Sequence, residues 1–264
     1  KNGFYNNYEF IVKNSNTDAQ NSQSFKNEEN IFISGLVQLN TSFPLIKENK
    51  GYKKILNPKM ALRLAPSHMK DNRSEDNKID INNIYAINRG VKQDALEGGI
   101  SLTYGNDFSI LEKKDLTEIF NFKIANNLRL EENDDLPGNS QIGKKTSSIL
   151  NQFTYKPNKF VKIKYDSSIK NNLKDVNYEN LITDFSVNNI VTSFDYLNQN
   201  ESSDNNTYLT NTTKFIMDES NSFSFSTRKN KTIDLTEYYN LSYQYKNDCL
   251  SASVEYNKEY YSDR

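Results

Sequence analysis

The composition of this chain excludes several classes of protein. Its 264 residues carry 33 Lys and Arg against 34 Asp and Glu, a formal net charge of −1 that gives no electrostatic case for nucleic-acid binding. Only 35% of them are hydrophobic, and no apolar run reaches the roughly 18 residues of a transmembrane helix. The 17 Tyr and 15 Phe argue against disorder. Two classes remain possible, a soluble β-domain and a transmembrane β-barrel. The strands of a barrel need only alternate between apolar and polar residues.

Alternating apolar and polar residues predict β-strands in the first half of the chain, because successive strand side chains point to opposite faces. The predicted strands are Phe4–Val12, Ile31–Phe43, Tyr52–Ala65, Ile100–Ile110 and Phe120–Leu130. Long polar segments follow the first, third and fifth strands, and turns such as Lys47–Gly51 follow the others. Pro58 lacks a backbone donor, so we expect a bulge or distortion at that residue.

The second half of the chain shows the same alternation with shorter connections. Its predicted strands are Ser147–Lys156, Lys159–Lys170, Tyr178–Asn188, Ile190–Asn198, Thr207–Met217, Asn221–Lys229, Leu235–Lys246 and Asp248–Lys258. A total of about 13 strands, with connections that alternate between long and short along the whole chain, is typical of an antiparallel up-and-down transmembrane β-barrel. In such barrels the long loops lie outside the cell and the short turns in the periplasm, whereas a soluble sandwich has no reason to alternate.

The last hairpin indicates which side chains face lipid and which face the lumen. One arm has about 11 residues, and when tilted by about 40° it spans roughly 25–30 Å, the hydrocarbon thickness of a bilayer. Apolar and polar residues alternate over Tyr239–Lys246 of the first arm and Leu250–Asn257 of the second. We interpret Leu241, Tyr243 and Val254 as lipid-facing, and Asn240, Ser242, Gln244, Lys162 and Lys164 as lumen-facing.

Cys249 is the single cysteine, at the start of the last predicted strand. Because the preceding connection is short, we place Cys249 at the periplasmic rim, facing the lumen by strand parity. The periplasm is oxidising, so we expect a disulfide to a cysteine outside this sequence or on another protein. A weakly constrained free thiol is the alternative interpretation.

Enzyme chemistry has no support in the residue pattern. His68 is the only histidine, which leaves no Ser-His-Asp or Cys-His set and no histidine-based zinc site in the sequence. The segment Gly138–Lys145 is similar to a phosphate-binding loop, but Lys145 stands where Ser or Thr should bind magnesium. The carboxylates of residues 131–135 are interpreted as solvated, with weak cation binding as the alternative. We predict no catalytic residue, cofactor or metal.

Several short motifs occur in a fixed order along most of the chain. They are Leu64-Ala65-Pro66, Asn88-Arg89, Asp94, Glu97-Gly98-Gly99, Leu102-x-Tyr104-Gly105, Leu136-Pro137 before Ser147-Ser148, Tyr245-x-x-Asp248-Cys249, Tyr256 and Tyr261-x-Asp263-Arg264. This set resembles the LptD family of outer-membrane proteins, which insert lipopolysaccharide into the outer leaflet. Each motif is short, and their order and the position of Cys249 give the set its specificity.

The resemblance implies a fold, a cargo and partners. It implies that residues 1–264 form the C-terminal part of a larger outer-membrane barrel preceded by a periplasmic domain. It also implies lipopolysaccharide as cargo, an LptE-like plug lipoprotein in the barrel, an LptA-like bridge protein on the periplasmic domain, and a disulfide from Cys249 to that domain. Some members carry two adjacent cysteines, but Leu250 occupies the second position here, so one bridge at most forms through this site.

We therefore predict a non-enzymatic translocon in the outer membrane of a Gram-negative bacterium. The sequence lacks an initiator Met and a closing strand after Arg264, so we expect the N-terminal half and the last strand to lie outside it. Another outer-membrane barrel, such as a porin or nutrient receptor, is the first alternative. A soluble extracellular β-sheet domain used for binding is the second. A disulfide between Cys249 and a periplasmic domain discriminates against the first alternative, and partitioning of the full-length protein into water without detergent favours the second.

Overall fold

The described part of the chain consists of β-strands joined by loops and turns. The computed structural model describes residues 3–18, 20–21, 29–74, 78–138, 140–200 and 205–260. Its strands are β1 (Tyr5–Thr17), β2 (Asn30–Ser42), β3 (Leu45–Glu48), β4 (Tyr52–Leu64), β5 (Ile100–Glu112), β6 (Glu118–Arg129), β7 (Ile149–Asn158), β8 (Val161–Ile169), β9 (Val176–Val187), β10 (Ile190–Asn200), β11 (Asn205–Ile216), β12 (Asn221–Asn230), β13 (Leu235–Lys246) and β14 (Ser251–Glu259). Within these ranges, no helix is long and apolar enough to cross a membrane.

All the strands belong to one antiparallel 14-stranded sheet. The spatial order follows the chain from β1 to β14, and only the short β3 lies off this path, where it pairs with β4. Every connection along the path therefore joins adjacent strands, which is the up-and-down topology of β-barrels. The predicted strand set is confirmed, with β3 as an addition.

The two faces of the sheet are inverted relative to a soluble β-sandwich. Val37 and Leu64 lie opposite each other on β2 and β4, and these apolar side chains are 43% and 45% exposed. The adjacent pair Gln38 and Arg63 points to the other face, where the two polar side chains are 0% and 1% exposed. A sandwich would bury the apolar face. The polar-in, apolar-out arrangement is that of a transmembrane β-barrel. We call the two sides the outward face and the inward face.

Two predicted strand limits were wrong in the first part of the chain. The first strand does not end at Val12 but continues to Thr17, because residues 13–17 pair with residues 30–34 of β2. The predicted turn that begins at Lys47 starts two residues too early, since β3 runs to Glu48 and pairs with β4. In both cases cross-strand pairing extends a strand into polar sequence.

Pro58 does not distort the ladder between β4 and β5, where Pro58 opposes Asn106 without a register shift. On its other side, β4 changes partner from β2 to β3, and the Phe43 amide donates to the Pro58 carbonyl at 3.1 Å. The N–H and C=O of a strand residue point to the same side. The missing donor of Pro58 therefore faces the break between β2 and β3. The bulge expected at Pro58 is absent. The irregularity is instead the break between β2 and β3, which lies beside Pro58.

The connections alternate in length only in the first half of the chain. β1, β4 and β6 end at one rim of the sheet, where the long connections 18–29, 65–99 and 130–148 begin, and the short connections 113–117 and 159–160 lie at the opposite rim. The later connections 217–220, 231–234 and 247–250 are equal in length. The expected alternation along the whole chain is therefore wrong for its last part. We call the two rims the loop rim and the turn rim.

The face assignment predicts the effect of charge at Leu241, which lies midway along β13 on the outward face. Leu241→Arg should lower the free energy of unfolding of the full-length protein by roughly 2–4 kcal/mol, because the cation would face the middle of the bilayer. The matched control is Ser242→Arg on the inward face, which should have a much smaller effect. Urea unfolding in lipid vesicles measures both, and equal losses would contradict the assignment.

Candidate functional site

Residues 65–99, which we call the inner loop, fold back onto the inward face near the loop rim. Ile79, Ile84 and Ala95 of this loop are buried together with Ala125 of β6 and Leu150 of β7. The sequence pattern predicted a long connection here but did not predict that part of it is buried. The spaced isoleucines were the available signal, because isoleucine is among the residues most often buried.

The second long loop, residues 130–148, packs against the inner loop. Leu136 and Ile142 join the same apolar core. The Asn72 amide donates to the Asp135 carbonyl at 2.8 Å, and the side-chain oxygen of Asn72 accepts from the Lys92 amide at 2.9 Å. Asn72 is fully buried, so these bonds satisfy a polar group inside the loop pair. The two loops form one folded unit on the inward face.

One carboxylate at the end of the inner loop is surrounded by three guanidinium groups. Glu97 Oε2 accepts from Arg89 Nε at 2.8 Å and from Arg63 Nη1 at 3.2 Å, and Glu97 Oε1 accepts from Arg129 Nη1 at 2.5 Å. Arg63 lies on β4, Arg129 on β6 and Arg89 in the inner loop. All four side chains are almost completely buried. This cluster, which we call the Glu97 cluster, therefore joins two strands to the loop.

Other guanidinium N–H groups of the Glu97 cluster bond to strand side chains. Arg63 Nε donates to Gln38 Oε1 at 2.6 Å. Arg89 Nη1 donates to Thr103 Oγ1 at 2.6 Å, and Arg89 Nη2 donates to Asn127 Oδ1 at 2.8 Å. A buried charge is tolerated only when its hydrogen-bonding groups are paired. The polar inward residues of β2, β5 and β6 thus hold the cluster in place.

The electrostatics of the cluster keep Glu97 ionised. Burial alone would raise the pKa of the Glu97 carboxyl, but the charges of Arg89 and Arg63 and the hydrogen bond from Arg89 outweigh burial. The pKa is therefore held well below the usual range of a glutamate. The carboxylate stays charged at neutral pH and can act as a permanent anchor.

Two lysines attach the inner loop to β1. Lys13 Nζ donates to the carbonyls of Gln93 and Ala95 at 2.7 and 2.9 Å. Lys70 Nζ donates to Ser15 Oγ at 2.5 Å and pairs with Asp94 Oδ2 at 2.6 Å. Together with the Glu97 cluster, these bonds fix the loop from β1 across to β6.

Two glycines allow the chain to approach the cluster closely. A Cβ on Gly98 would lie 2.9 Å from the Pro66 carbonyl oxygen, and one on Gly99 would lie 2.9 Å from Arg129 Nη2. Gly99 also has a φ of +89°, which favours glycine. These close contacts explain why the motif Glu97-Gly98-Gly99 has glycine at its last two positions. It marked the cluster in the sequence, but its partners Arg63 and Arg129 were not found by sequence reasoning.

Lys162 and Lys164 lie on the inward face of β8. Ser168 lies on the same face of β8 as the two lysines and opposes Tyr178 of β9. The centroid of the Tyr178 ring lies 3.4 Å from Lys78 Nζ of the inner loop, which identifies this face as the inward one. Lys164 Nζ pairs with Asp166 Oδ2 at 2.8 Å, and Lys162 Nζ lies 3.8 Å from Asp184 Oδ2. Contact of either lysine with a cargo or partner stays a prediction.

Asn240, Ser242 and Gln244 share that inward face. Directly opposed residues run across the sheet from Lys162 through Asp184, Ser193, Thr212 and Ser226 to Asn240. Ser242 Oγ lies 2.7 Å from Ser224 Oγ, and Asn240 Nδ2 donates to Asn257 Oδ1 at 2.7 Å. The structure thus brings the predicted polar residues onto one surface. Their lumen-facing role stays a prediction.

Leu241, Tyr243 and Val254 lie on the outward face. Tyr243 of β13 opposes Val254 of β14, and Val254 is 74% exposed. Phe225 of β12 lies opposite Leu241 and continues the apolar surface. Contact of these side chains with lipid stays a prediction.

Cys249 lies in the turn 247–250 at the turn rim, because β14 begins only at Ser251. Asn247 Oδ1 accepts from the amides of Cys249 and Leu250 at 3.0 and 2.7 Å, which fixes the turn. The thiol is free and exposed. Strand parity does not apply to a turn residue, so the argument that Cys249 faces the lumen is lost. Its position at the rim opposite the long loops remains.

The described part of the chain shows no arrangement of side chains suited to binding a metal ion. There, no group of three or more His, Cys, Asp or Glu side chains is placed to hold a metal ion. Within the carboxylate-rich segment, Lys144 Nζ lies 3.0 Å from Asp134 Oδ1 and 3.4 Å from Glu132 Oε2. These carboxylates are thus paired with a lysine.

The sequence matches the family described as LptD, LPS transport system D, over residues 5–245. The chain belongs to this family. LptD proteins are outer-membrane proteins of Gram-negative bacteria that act in lipopolysaccharide transport and assembly with other proteins of the Lpt pathway. The family resemblance inferred from the motifs is confirmed over residues 5–245. The motif residues Asp248, Cys249 and Tyr256 lie beyond the matched range, and Tyr261-x-Asp263-Arg264 lies outside the described residues.

One solved structure resembles this chain at a low level of structural similarity. It is described as "Salmonella typhi OmpF complex with Daunomycin", and the match covers 99% of this chain and 91% of that chain with 12% sequence identity and a TM-score of 0.39. A likeness at this level carries no conclusion about function. No curated protein matches the sequence.

The Glu97 cluster predicts a large effect of neutralising one side chain. Glu97→Gln should lower the free energy of unfolding by about 3–5 kcal/mol, because three buried guanidinium groups lose their only carboxylate in the cluster. Asp94→Asn is the matched control, since its pair with Lys70 is half exposed and should contribute at most about 1 kcal/mol. Urea unfolding in lipid vesicles measures both variants.

The same variant predicts a pH dependence with a defined sign. The folded-state pKa of Glu97 lies below its unfolded value, so its stabilisation is present above the unfolded pKa. As the pH falls below about 4.3, the unfolded state gains a proton first and the stabilisation is progressively lost. The stability difference between the wild type and Glu97→Gln should therefore shrink below that pH. A constant difference from pH 7 to 3 would contradict this account.

Proposed function

We propose that this chain is part of a non-enzymatic translocon that inserts lipopolysaccharide into the outer leaflet of the outer membrane. The family match over residues 5–245 is the observation that carries the proposal. An apolar outward face and a polar inward face support it, because an amphipathic cargo needs a wet route for its sugars and a lipid phase for its acyl chains.

The inner loop supports lateral release of the cargo rather than passage through an open pore. The Glu97 cluster and the apolar core hold two long loops on the inward face at the loop rim. Loops fixed at this position narrow the way out through the rim. We infer that lipopolysaccharide enters from the periplasmic side and leaves sideways, between the first and last strands of the complete barrel.

We infer that residues 1–264 supply the C-terminal part of that barrel. Among the described residues, β1 pairs only with β2 and β14 only with β13. Backbone groups at membrane depth must be paired, so further strands are needed to close the sheet. An N-terminal part of the same barrel, preceded by a periplasmic domain, would supply these strands.

We infer two specific partners, an LptE-like plug lipoprotein inside the barrel and an LptA-like bridge protein on the periplasmic domain. The inward residues of β10 and β13 are only partly buried, unlike those of β4 to β6 beneath the inner loop. This polar surface around Asn240, Ser242 and Gln244 offers room and hydrogen-bonding groups for a plug protein.

Depletion of the full-length protein in its own cells tests the proposed function. Newly made lipopolysaccharide should become inaccessible to a membrane-impermeant reagent that oxidises sugars at the cell surface, and re-expression should restore labelling. Uptake of small hydrophilic solutes by the same cells is the control. Normal surface labelling combined with reduced solute uptake would instead identify a porin or nutrient receptor.

The exposed thiol of Cys249 predicts a disulfide in the assembled protein. On a non-reducing gel, the full-length wild type should migrate differently from its reduced form, because a bridge to the periplasmic domain closes a large loop. Cys249→Ser should migrate like the reduced wild type under both conditions, whereas Ser251→Ala should retain the shift. Identical mobility of the wild type and Cys249→Ser without reductant would refute the bridge.

A further inference from the structure

Three large side chains meet on the inward face of β11, β12 and β13, close to the loop rim. Tyr208 lies near the start of β11, Arg228 near the end of β12 and Tyr238 near the start of β13. Along the antiparallel sheet, β12 ends at the loop rim, as β4 and β6 do. We call these three residues the Arg228 platform. Strand parity places them on the same face as three side chains already assigned to the inward face, Thr212, Ser226 and Asn240.

The guanidinium group of Arg228 packs against both aromatic rings. Its Cζ lies over the Tyr208 ring at 4.6 Å from the ring centroid, and over the Tyr238 ring at 6.0 Å. Cation–π contacts reach to about 6 Å from the centroid. Arg228 Nε pairs with Glu237 Oε2, and Glu237 Oε1 accepts from Asn230 Nδ2 at 3.4 Å. The ring contacts and the ion pair together hold the guanidinium group in one orientation.

A β-bulge places the carboxylate of Glu237 beside the platform. Arg228 opposes Tyr238, but the next residue, Lys229, opposes Thr236, so Glu237 is the extra residue of β13. A bulge changes the direction of the side chains around it and is common beside functional sites. The ion pair of the platform therefore arises from an irregularity in the ladder rather than from regular strand pairing.

The platform is accessible from the interior of the barrel. The Arg228 side chain is 42% exposed, and the rings of Tyr208 and Tyr238 are half-buried. The turn 231–234 that follows β12 at this rim is short, whereas the long loops pack against β6 and β7. A guanidinium group carries five N–H donors, so the pair through Nε leaves donors that can bind a ligand.

Aromatic rings beside a guanidinium–carboxylate pair suit the recognition of a sugar. A sugar ring presents C–H groups that pack against an aromatic face, and its hydroxyl groups bond to charged donors and acceptors. A phosphate carried by the sugar would add a charge-assisted bond to Arg228. Because the side chains of the platform already hold one another in place, binding costs little further ordering of the protein.

We propose that the Arg228 platform binds a sugar ring in the oligosaccharide of lipopolysaccharide while the cargo leaves the barrel. This inference rests on the proposed function, in which the cargo leaves sideways between the first and last strands. β14 is the last strand of the described sheet and pairs with β13, so the platform lies near the side where that exit would be. At the loop rim, the sugars can contact the platform while the acyl chains of the same molecule enter the outer leaflet.

Photocrosslinking of the full-length protein in its own cells tests the platform. The photoreactive amino acid p-benzoylphenylalanine replaces Thr210, which opposes Arg228, so the platform residues themselves stay unchanged. The wild type is expressed alongside so that export continues. Crosslinked peptides are identified by mass spectrometry after mild acid hydrolysis, which separates the oligosaccharide of lipopolysaccharide from its lipid. The peptide that contains position 210 should carry oligosaccharide.

Two further positions of the photoreactive amino acid provide controls. In place of Ser242, midway along the inward face of β13, it should give at least fivefold less oligosaccharide labelling than at position 210. In place of Leu209, which is adjacent in the chain and exposed on the outward face, it should retain lipid rather than sugar after hydrolysis.

Substitutions within the platform make the test specific. In the protein labelled from position 210, Arg228→Ala and Tyr238→Ala should each lower oligosaccharide labelling at least threefold, because each removes a contact surface for the sugar. Tyr208→Phe keeps the ring and should preserve labelling. Lys214→Ala removes a cation elsewhere on the inward face of β11 and should also preserve labelling. Folded protein is selected by its heat-modifiable gel mobility, and the comparison of positions 210 and 242 decides the matter if a variant does not fold.

The outcomes separate the platform from the proposed function. Oligosaccharide labelling at position 210 that is no stronger than at position 242 would overturn the platform and show passage without a binding site. A crosslink from position 210 to a protein instead of a sugar would overturn it in favour of a partner contact, and undiminished labelling in Arg228→Ala would overturn it as well. Each of these results is compatible with loss of surface lipopolysaccharide on depletion, whereas normal surface labelling on depletion would overturn the proposed function.

Discussion

The bond set around Glu97 determines how the interior of this sheet is organised. A single carboxylate joins Arg63 of β4 and Arg129 of β6 to Arg89 of the inner loop. Without it, three buried cations would repel one another where water is largely excluded. Because the carboxylate accepts from all three, the loop is fixed against strands that are distant in the sequence. The apolar core of the two long loops therefore lies beside strands whose inward side chains are mostly polar.

This arrangement follows from the inversion of the sheet. In a soluble sandwich the strands contribute apolar side chains to the core, and a loop can be anchored by burying more of them. Here β4 to β6 present mostly Arg, Ser, Thr and Asn to the interior, so a loop docks there largely through hydrogen bonds and ion pairs. The small apolar cluster comes mostly from the loops themselves, with only Ala125 and Leu150 contributed by strands.

The strands were predictable from the sequence because period-two alternation is a local signal that does not depend on distant contacts. The faces of Lys162, Asn240 and Leu241 follow from the same period. The inner loop was not predictable in this way, since its burial depends on Arg63 and Arg129, which lie 34 and 32 residues from Glu97 in the sequence. Cys249 shows the limit of parity, because β14 starts three residues later than the predicted strand and Cys249 therefore lies in a turn.

The burial of inward side chains divides the sheet into two functional parts. Beneath the inner loop, β4 to β6 are covered by their own chain, and their polar residues are committed to holding it. From β10 to β13 the inward residues, apart from the buried Asn230, are half-buried or exposed. They pair mainly with neighbours on the sheet, as Ser242 does with Ser224. A polar surface that binds only itself can exchange those bonds for others at low free-energy cost. The covered part gives the barrel a fixed interior wall, and the uncovered part is where a partner or a sugar-bearing cargo can bind.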